Sequence, residues 1–174
     1  MSMADKLKKF RYFFLLCAVA VMAVIFMFSA QPSVQSTNTS DSVTIMLAKM
    51  FVRNYKSMTD YERYEIVHTL NVFVRKGAHF SVYAFLSVFV TLFFLSYEKL
   101  KLRNVFLHTI LFCMAYASTD ELHQYFVPGR SCQVTDVMID TCGAIAGFVV
   151  VLLIIKSLKH CFKFCKICGI CQHL

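Results

Sequence analysis

Three short groups of polar residues stand inside otherwise apolar stretches of this chain. In the first, Lys76, His79 and Tyr83 are spaced three and four apart, which lines one face of a helix. In the second, Asp120, Glu121, His123 and Gln124 crowd together. In the third, Asp136 and Asp140 are four apart, and Gly143 and Gly147 continue the same stripe. Arg130 stands between the second and third groups.

These residue types support three chemistries. Arginine offers a bidentate fork to phosphate or carboxylate, and lysine a mobile point charge. On that reading Lys76, His79, Tyr83, Gln124, Arg130, Asp136 and Asp140 form a ligand-binding set. Histidine titrates near neutrality, and a neighbouring carboxylate fixes its tautomer. On that reading His79, Asp120, Glu121, His123 and Asp140 form an acid–base set, although no nucleophile motif or phosphate loop accompanies them. A third reading has Asp120, Glu121 and His123 joining His79 and Asp140 around a divalent ion, but their spacing matches no familiar zinc motif such as H-E-x-x-H.

The elements that must position these groups are apolar and long. Of 174 residues, 58% are hydrophobic and 16% charged, with mean hydropathy +0.61. A soluble domain carries about 45–50% apolar and about 25% charged residues, so the solvent implied here is lipid. There are eighteen Phe, eight Tyr and no Trp, which leaves Tyr as the interfacial anchor. Four stretches approach or reach the roughly 20 residues needed to span hydrocarbon: Tyr12 to Ser29, Gly77 to Tyr97, Val105 to Ser118 and Val137 to Ile155. The third is shortest and carries polar ends. The first, preceded by Lys6, Lys8, Lys9 and Arg11, competes with a signal peptide. Its core is long for one, and a cut after Ala30 would leave bulky Phe28 three residues before the cut.

A net charge of +8 could suggest nucleic acid, but the cations flank apolar blocks instead of forming one soluble surface, and no nucleic-acid module is present. Lys6, Lys8, Lys9 and Arg11 precede the first span; Lys99, Lys101 and Arg103 join the second and third; Lys156, Lys159, Lys163 and Lys166 follow the fourth. Four spans put these clusters on one side, which the positive-inside rule makes cytoplasmic. The expected fold is an all-α integral membrane protein with about four transmembrane helices and both termini cytoplasmic. An outer amphipathic helix is expected between the first two spans, opened by the capping box Thr59-Asp60-Tyr61-Glu62. The Ser/Thr-rich stretch from Gln31 to Ser42 is expected to be irregular.

This topology gathers the three polar groups at the outer face. A charged group at bilayer depth costs about 2.5–3.5 kcal/mol unless paired or wetted. A shared polar cavity is the economical arrangement, with Lys76, Arg130 and the histidines facing Asp120, Glu121, Asp136 and Asp140. Interfacial ion pairing alone is the competing account. Gly143 and Gly147 are expected to let the fourth helix approach a neighbour closely.

The same residues carry a family resemblance. Arg75-Lys76-Gly77-Ala78-His79-Phe80 with Tyr83 resembles the RK-x-AHF-x-x-Y signature of VanZ-like membrane proteins. Asp120 to Arg130 (DELHQYFVPGR) is similar to that family's D-E-x-H-Q-x-F-x-P-G-R segment. Asp136, Asp140, Gly143 and Gly147 fit its D-x-x-x-D-x-x-G-x-x-x-G stripe, and Phe28-Ser29-Ala30-Gln31-Pro32 its serine-glutamine stretch. The likeness runs from about Phe14 to Ile155 and departs at Ser131-Cys132-Gln133, which bears on the shape of the loop after Arg130. It implies a multi-pass protein of the bacterial plasma membrane, related to the accessory protein of teicoplanin resistance. In that setting the partner expected for the Lys76, Arg130 and histidine cluster is a membrane lipid, a cell-wall precursor or a glycopeptide-related ligand. An enzyme acting on a lipid-linked phosphate or glycosyl headgroup is the alternative.

Residues 12–156 then form the transmembrane domain, and 157–174 a basic, cysteine-rich cytoplasmic tail. Within the tail, Cys165, Cys168 and Cys171, beside Cys161, His160 and His173, have a spacing that suits zinc or an iron–sulfur cluster. A disordered tail with incidental thiols is the simpler reading. Cys17, Cys113, Cys132 and Cys142 read as small packing residues or surface thiols.

Overall fold

A computed structural model describes residues 7–97 and 100–167, apart from the side chains of Gln35, Asn38, Thr39 and residues 161–167. Among the described residues the fold is all-helical, with five long helices and no strand. They are α1 (Arg11–Ser29), α2 (Ser33–Phe51), α3 (Asp60–Leu95), α4 (Leu102–Tyr125) and α5 (Val134–Ile167), with a short 3-10 turn at Tyr55–Ser57. Three of them, α1, α3 and α5, are long and apolar enough to cross a membrane, as suits an integral membrane protein. Large apolar side chains such as Phe13, Leu16, Met27 and Leu153 point outward, a surface that water would not tolerate and lipid would. The 24-residue α4, expected as the third span, measures about 36 Å. Arg103, Asn104 and His108 at one end, and Thr119 to Gln124 at the other, keep it outside that apolar set.

Contacts between helices give their directions. Met22 and then Phe26 of α1 meet Tyr116 and then His123 of α4, so those two run parallel. Lys76, Phe80 and Ala84 of α3 meet Asp136, Gly143 and Gly147 of α5 in the same order, so those two run parallel as well. Tyr83 meets Tyr116 while Phe94 meets His108, so α3 and α4 are antiparallel. The four helices therefore alternate in direction. The start of α1 is clasped to the end of α3. There, Arg11 donates from Nε to Ser96 Oγ at 3.0 Å and from Nη2 to the Ser96 carbonyl at 2.9 Å, and it lies 3.9 Å from the centre of the Tyr97 ring.

The most extensive packing joins α3 to α5. A Cβ at Gly143 would strike the Phe80 carbonyl, and one at Gly147 the Ala84 carbonyl. The glycine stripe thus does what its spacing predicts, with α3 as the neighbour. Ser87 Oγ donates to the Ala144 carbonyl at 2.6 Å, and Tyr83, Leu86, Val90, Cys113, Ala117 and Ala144 close a core that interleaves large and small residues.

Two expectations change. The stretch from Gln31 to Ser42 is not irregular: α2 begins at Ser33 and runs to Phe51. Pro32 precedes it with φ −54°, and the hydroxyls that weaken a helix by competing for its carbonyls are absorbed into it. Ser40 Oγ bonds the Ser36 carbonyl at 2.9 Å, and Thr44 Oγ1 bonds the Ser40 carbonyl at 2.8 Å. Packing supplies the rest, with Thr44 and Ala48 fully buried and Asn71 Nδ2 of α3 hydrogen-bonded to Asp41 Oδ1. Nor is the amphipathic segment a separate helix. The capping box forms as expected, Thr59 N to Glu62 Oε2 at 2.8 Å and Glu62 N to Thr59 Oγ1 at 3.3 Å, but the helix it opens is the single 36-residue α3. At about 54 Å, α3 outruns a 30 Å hydrocarbon core, and its first turns pair with α2 as a helical hairpin. Arg63 pins the connection through the Tyr55 and Lys56 carbonyls at 3.2 and 2.8 Å. At the other end α5 continues helical through 157–167; the expected metal site at Cys165, Cys168 and Cys171, together with Lys6 and Lys99, lies outside the described residues and side chains.

Because the α3–α5 contact is backbone against glycine, Gly147→Leu is expected to destabilise the protein by about 1–3 kcal/mol, the usual penalty of overpacking. Loss of helical circular dichroism during SDS titration measures it, and an unchanged midpoint would show that the two helices do not need this approach.

Candidate functional site

The parallel run of α3 and α5 puts their polar groups in register. Lys76 Nζ lies 3.6 Å from Asp136 Oδ1, and one turn deeper His79 Nδ1 lies 3.5 Å from Asp140 Oδ1. The first pair is half exposed, and such pairs contribute about 0–1 kcal/mol. The second is different. Asp140 is fully buried, its two oxygens have no hydrogen-bond partner, and 3.5 Å is an ion-pair contact more than a hydrogen bond. Tyr83, one further turn down α3, is also buried, with its hydroxyl unpartnered. Each unsatisfied buried group costs about 1–3 kcal/mol, so packing stability alone gives no reason for this arrangement.

The end of α4 supplies a second layer. Asp120, Glu121 and Gln124 are all buried. Gln124 Nε2 donates to Asp120 Oδ2 at 3.0 Å, and the Gln133 backbone N–H donates to Glu121 Oε2 at 2.9 Å, which ties the loop after Arg130 back to α4. Arg130 takes neutral partners instead of the carboxylates expected for it. Its Nη1 bonds Gln124 Oε1 at 3.1 Å, Nε the Gln31 carbonyl at 3.0 Å and Nη2 the Phe28 carbonyl at 3.0 Å. One guanidinium thus gathers the end of α1, the end of α4 and the loop. Gly129, at φ +75°, allows the turn that aims Arg130, and a Cβ there would collide with Ser33. Burial first, and then the nearby Arg75 charge, pull the Arg130 pKa below its usual value. His123 does not join this network. Its ring lies 4.7 Å from that of Phe26, with Nδ1 unpartnered.

A cavity of about 280 Å³ opens where these layers meet α1 and α2. Of the residues singled out from sequence, His79, Tyr83, Asp120, Gln124 and Arg130 line it. Lys76, Glu121, His123, Asp136 and Asp140 do not. Asp140 stands directly behind His79, and Lys76 with Asp136 lies to one side. Among the described residues no three His, Cys, Asp or Glu side chains converge closely enough to hold a metal ion. Arg75 and Ser29, which stand in the family motifs but not among the candidate site residues, also line the cavity, as do Ser36 and Ser40. Arg75 was legible: Arg75, His79 and Tyr83 are each four apart and make as good a helical row as one starting at Lys76. The serines of α2 were not, because their stretch was expected to lack a helix.

The cavity carries a charge imbalance. Two arginines and one carboxylate line it, and neither Arg75 nor Arg130 has an ion-pair partner among the described residues. Such a surface suits an anion.

Since three bonds from one planar fork hold the loop to α1 and α4, Arg130→Lys is expected to lower stability by at least about 1.5 kcal/mol. Thermal unfolding in detergent measures the loss, and a melting temperature equal to that of the natural chain would show that the fork is dispensable.

The profile of the family described as VanZ/LLP1 matches residues 14–156 of this chain. No curated protein and no solved structure matches it. The matched region contains every polar group that builds the cavity and most of the bundle around it, and on that match the chain belongs to the VanZ/LLP1 family.

Proposed function

We propose that this is a four-span protein of the bacterial plasma membrane, with both termini cytoplasmic. Its cavity, at the outer face, binds the oxyanion of an envelope lipid, cell-wall precursor or glycopeptide-related ligand. The carrying observation is the pair of arginines, Arg75 and Arg130, that line the cavity without a carboxylate on either. The topology is supported by the alternating helix directions, with α4 as the remaining span. They bring Lys8, Lys9 and Arg11, then Lys101 and Arg103, then Lys156 and Lys159 to the end opposite the cavity, which is the cytoplasmic end by the positive-inside rule. Binding at the outer surface would alter what a glycopeptide drug meets there, which links the cavity to lowered teicoplanin susceptibility.

A second reading is favoured by one contact. His79 stands between the cavity and the buried Asp140, the arrangement of a general base oriented by a carboxylate. It makes the protein a hydrolase or transferase working on a lipid-linked phosphate or glycosyl headgroup.

The orientation is tested with a variant whose cysteines other than Cys132 are replaced. Cys132, exposed in the loop beside the cavity, is expected to react with a membrane-impermeant maleimide in intact cells, whereas a cysteine substituted for Lys159 reacts only after lysis. The reverse pattern overturns the topology. For the site, Arg75→Gln, Asp120→Asn and Asp140→Asn are each expected to abolish protection against teicoplanin while membrane levels stay within about twofold of the natural chain. Protection that survives Arg75→Gln would remove the oxyanion from the proposal. Steady release of phosphate from a lipid phosphate by purified protein, lost in His79→Ala, would favour the enzyme.

A further inference from the structure

The cavity has two kinds of wall, and α3 contributes to both. Arg75, His79 and Tyr83 form one row at four-residue spacing. Val74, Ala78 and Val82 form a second row, turned about 100° from the first. Ile25 and Phe28 of α1 and Val43 of α2 also line the cavity and add to its apolar surface. From Val74 to Val82 the apolar row extends about 12 Å along the helix, two turns below the level of Arg75. Arg75 stands at the top of that row, next to Val74. Arg75 and Arg130 line the same cavity, and an anion between them would offset both charges.

We propose that the occupant is an anionic lipid, held by a phosphate group at Arg75 and Arg130, with the first carbons of its chain along the Val74–Ala78–Val82 row. This inference rests on the oxyanion reading above and narrows it from any anion to a phosphate on an alkyl, acyl or prenyl chain. Two observations decide against the other occupants. A cavity of about 280 Å³ falls just below the roughly 300–1,000 Å³ that encloses a drug-sized ligand, so it is too small to enclose a glycopeptide or the sugar–peptide part of a cell-wall precursor. A free inorganic anion would occupy only the Arg75 end and leave the apolar row against water. A chain fills that row, and each methylene it buries strengthens binding roughly fourfold, about 0.8 kcal/mol.

The row also explains why Ala78 is small. A larger side chain at 78, in the middle of the row, would occupy the path of the chain while leaving both arginines in place. Chain recognition and phosphate recognition are therefore separable by mutation.

The test is equilibrium binding of decyl phosphate, methyl phosphate and decanol to the purified full chain in maltoside micelles, each corrected with protein-free micelles. Decyl phosphate is expected to bind saturably and at least tenfold more tightly than methyl phosphate, with no saturable binding of decanol. Arg75→Gln is expected to weaken decyl phosphate at least tenfold. Ala78→Phe is expected to do the same while leaving methyl phosphate within twofold; Val74→Ser is the milder second variant should Ala78→Phe fail to fold. Methyl phosphate binding as tightly as decyl phosphate would overturn the lipid inference and leave the anion site standing. Decanol binding as tightly as decyl phosphate, or no saturable binding of either phosphate, would overturn both.

Discussion

At Gly143 and Gly147 the backbone of α5 rests on the backbone carbonyls of α3, at Phe80 and Ala84. No side chain larger than hydrogen fits, so the register of the two helices is fixed by close contact. Asp140, one turn before Gly143, meets His79, the residue before Phe80, and one turn further along both helices Asp136 meets Lys76. A crossing only a few ångströms wider would leave Asp140 buried and unpaired in an apolar bundle, at a cost of several kcal/mol. The glycines therefore act on the site without belonging to it. Membrane helices gain little by hiding apolar surface from apolar lipid, so backbone proximity of this kind is what determines which polar groups meet.

Around this crossing the remaining polar residues divide into structural ties and a cavity-facing surface. Arg11 clasps α1 to the end of α3, Arg63 pins the hairpin between α2 and α3, and Arg130 gathers α1, α4 and the following loop. Each arginine satisfies backbone carbonyls that helix ends leave free. Arg75 has no such task, although it lines the same cavity as Arg130. Asp140, Tyr83 and Glu121 keep oxygens unpartnered in the interior. Unsatisfied groups weaken a bundle, and these three lie on or next to residues that line the cavity.

The helix α2 changes the character of that cavity. With Gln31 to Ser42 as a loose loop, the polar groups would have formed an open rim in the headgroup layer. As a helix docked on α3 through Thr44, Ala48 and the Asp41–Asn71 contact, the segment supplies a wall with Ser36, Ser40 and Val43 in it. The site is a bounded chamber with an apolar side, and its size becomes a constraint on what can enter.

Sequence alone determined what depends on local pattern and on the solvent. Long apolar blocks flanked by cations specify membrane helices because lipid cannot satisfy a bare backbone, and Thr59 with Glu62 specifies a helix start because the capping contacts are three residues apart. The ordered motifs around His79, Asp120 and Asp140 were sufficient to identify the family. Tertiary structure decided what depends on distance between helices: that His79 pairs with Asp140, that Arg130 holds carbonyls and not carboxylates, that Arg75 faces the cavity while Lys76 turns aside, and that a serine-rich stretch folds as a helix. A helical face spans about a third of a turn, so spacing leaves neighbours such as Arg75 and Lys76 equally eligible until a packed partner selects one. Intrinsic propensity failed for α2 because its stability comes from what it packs against, which no local window of sequence contains.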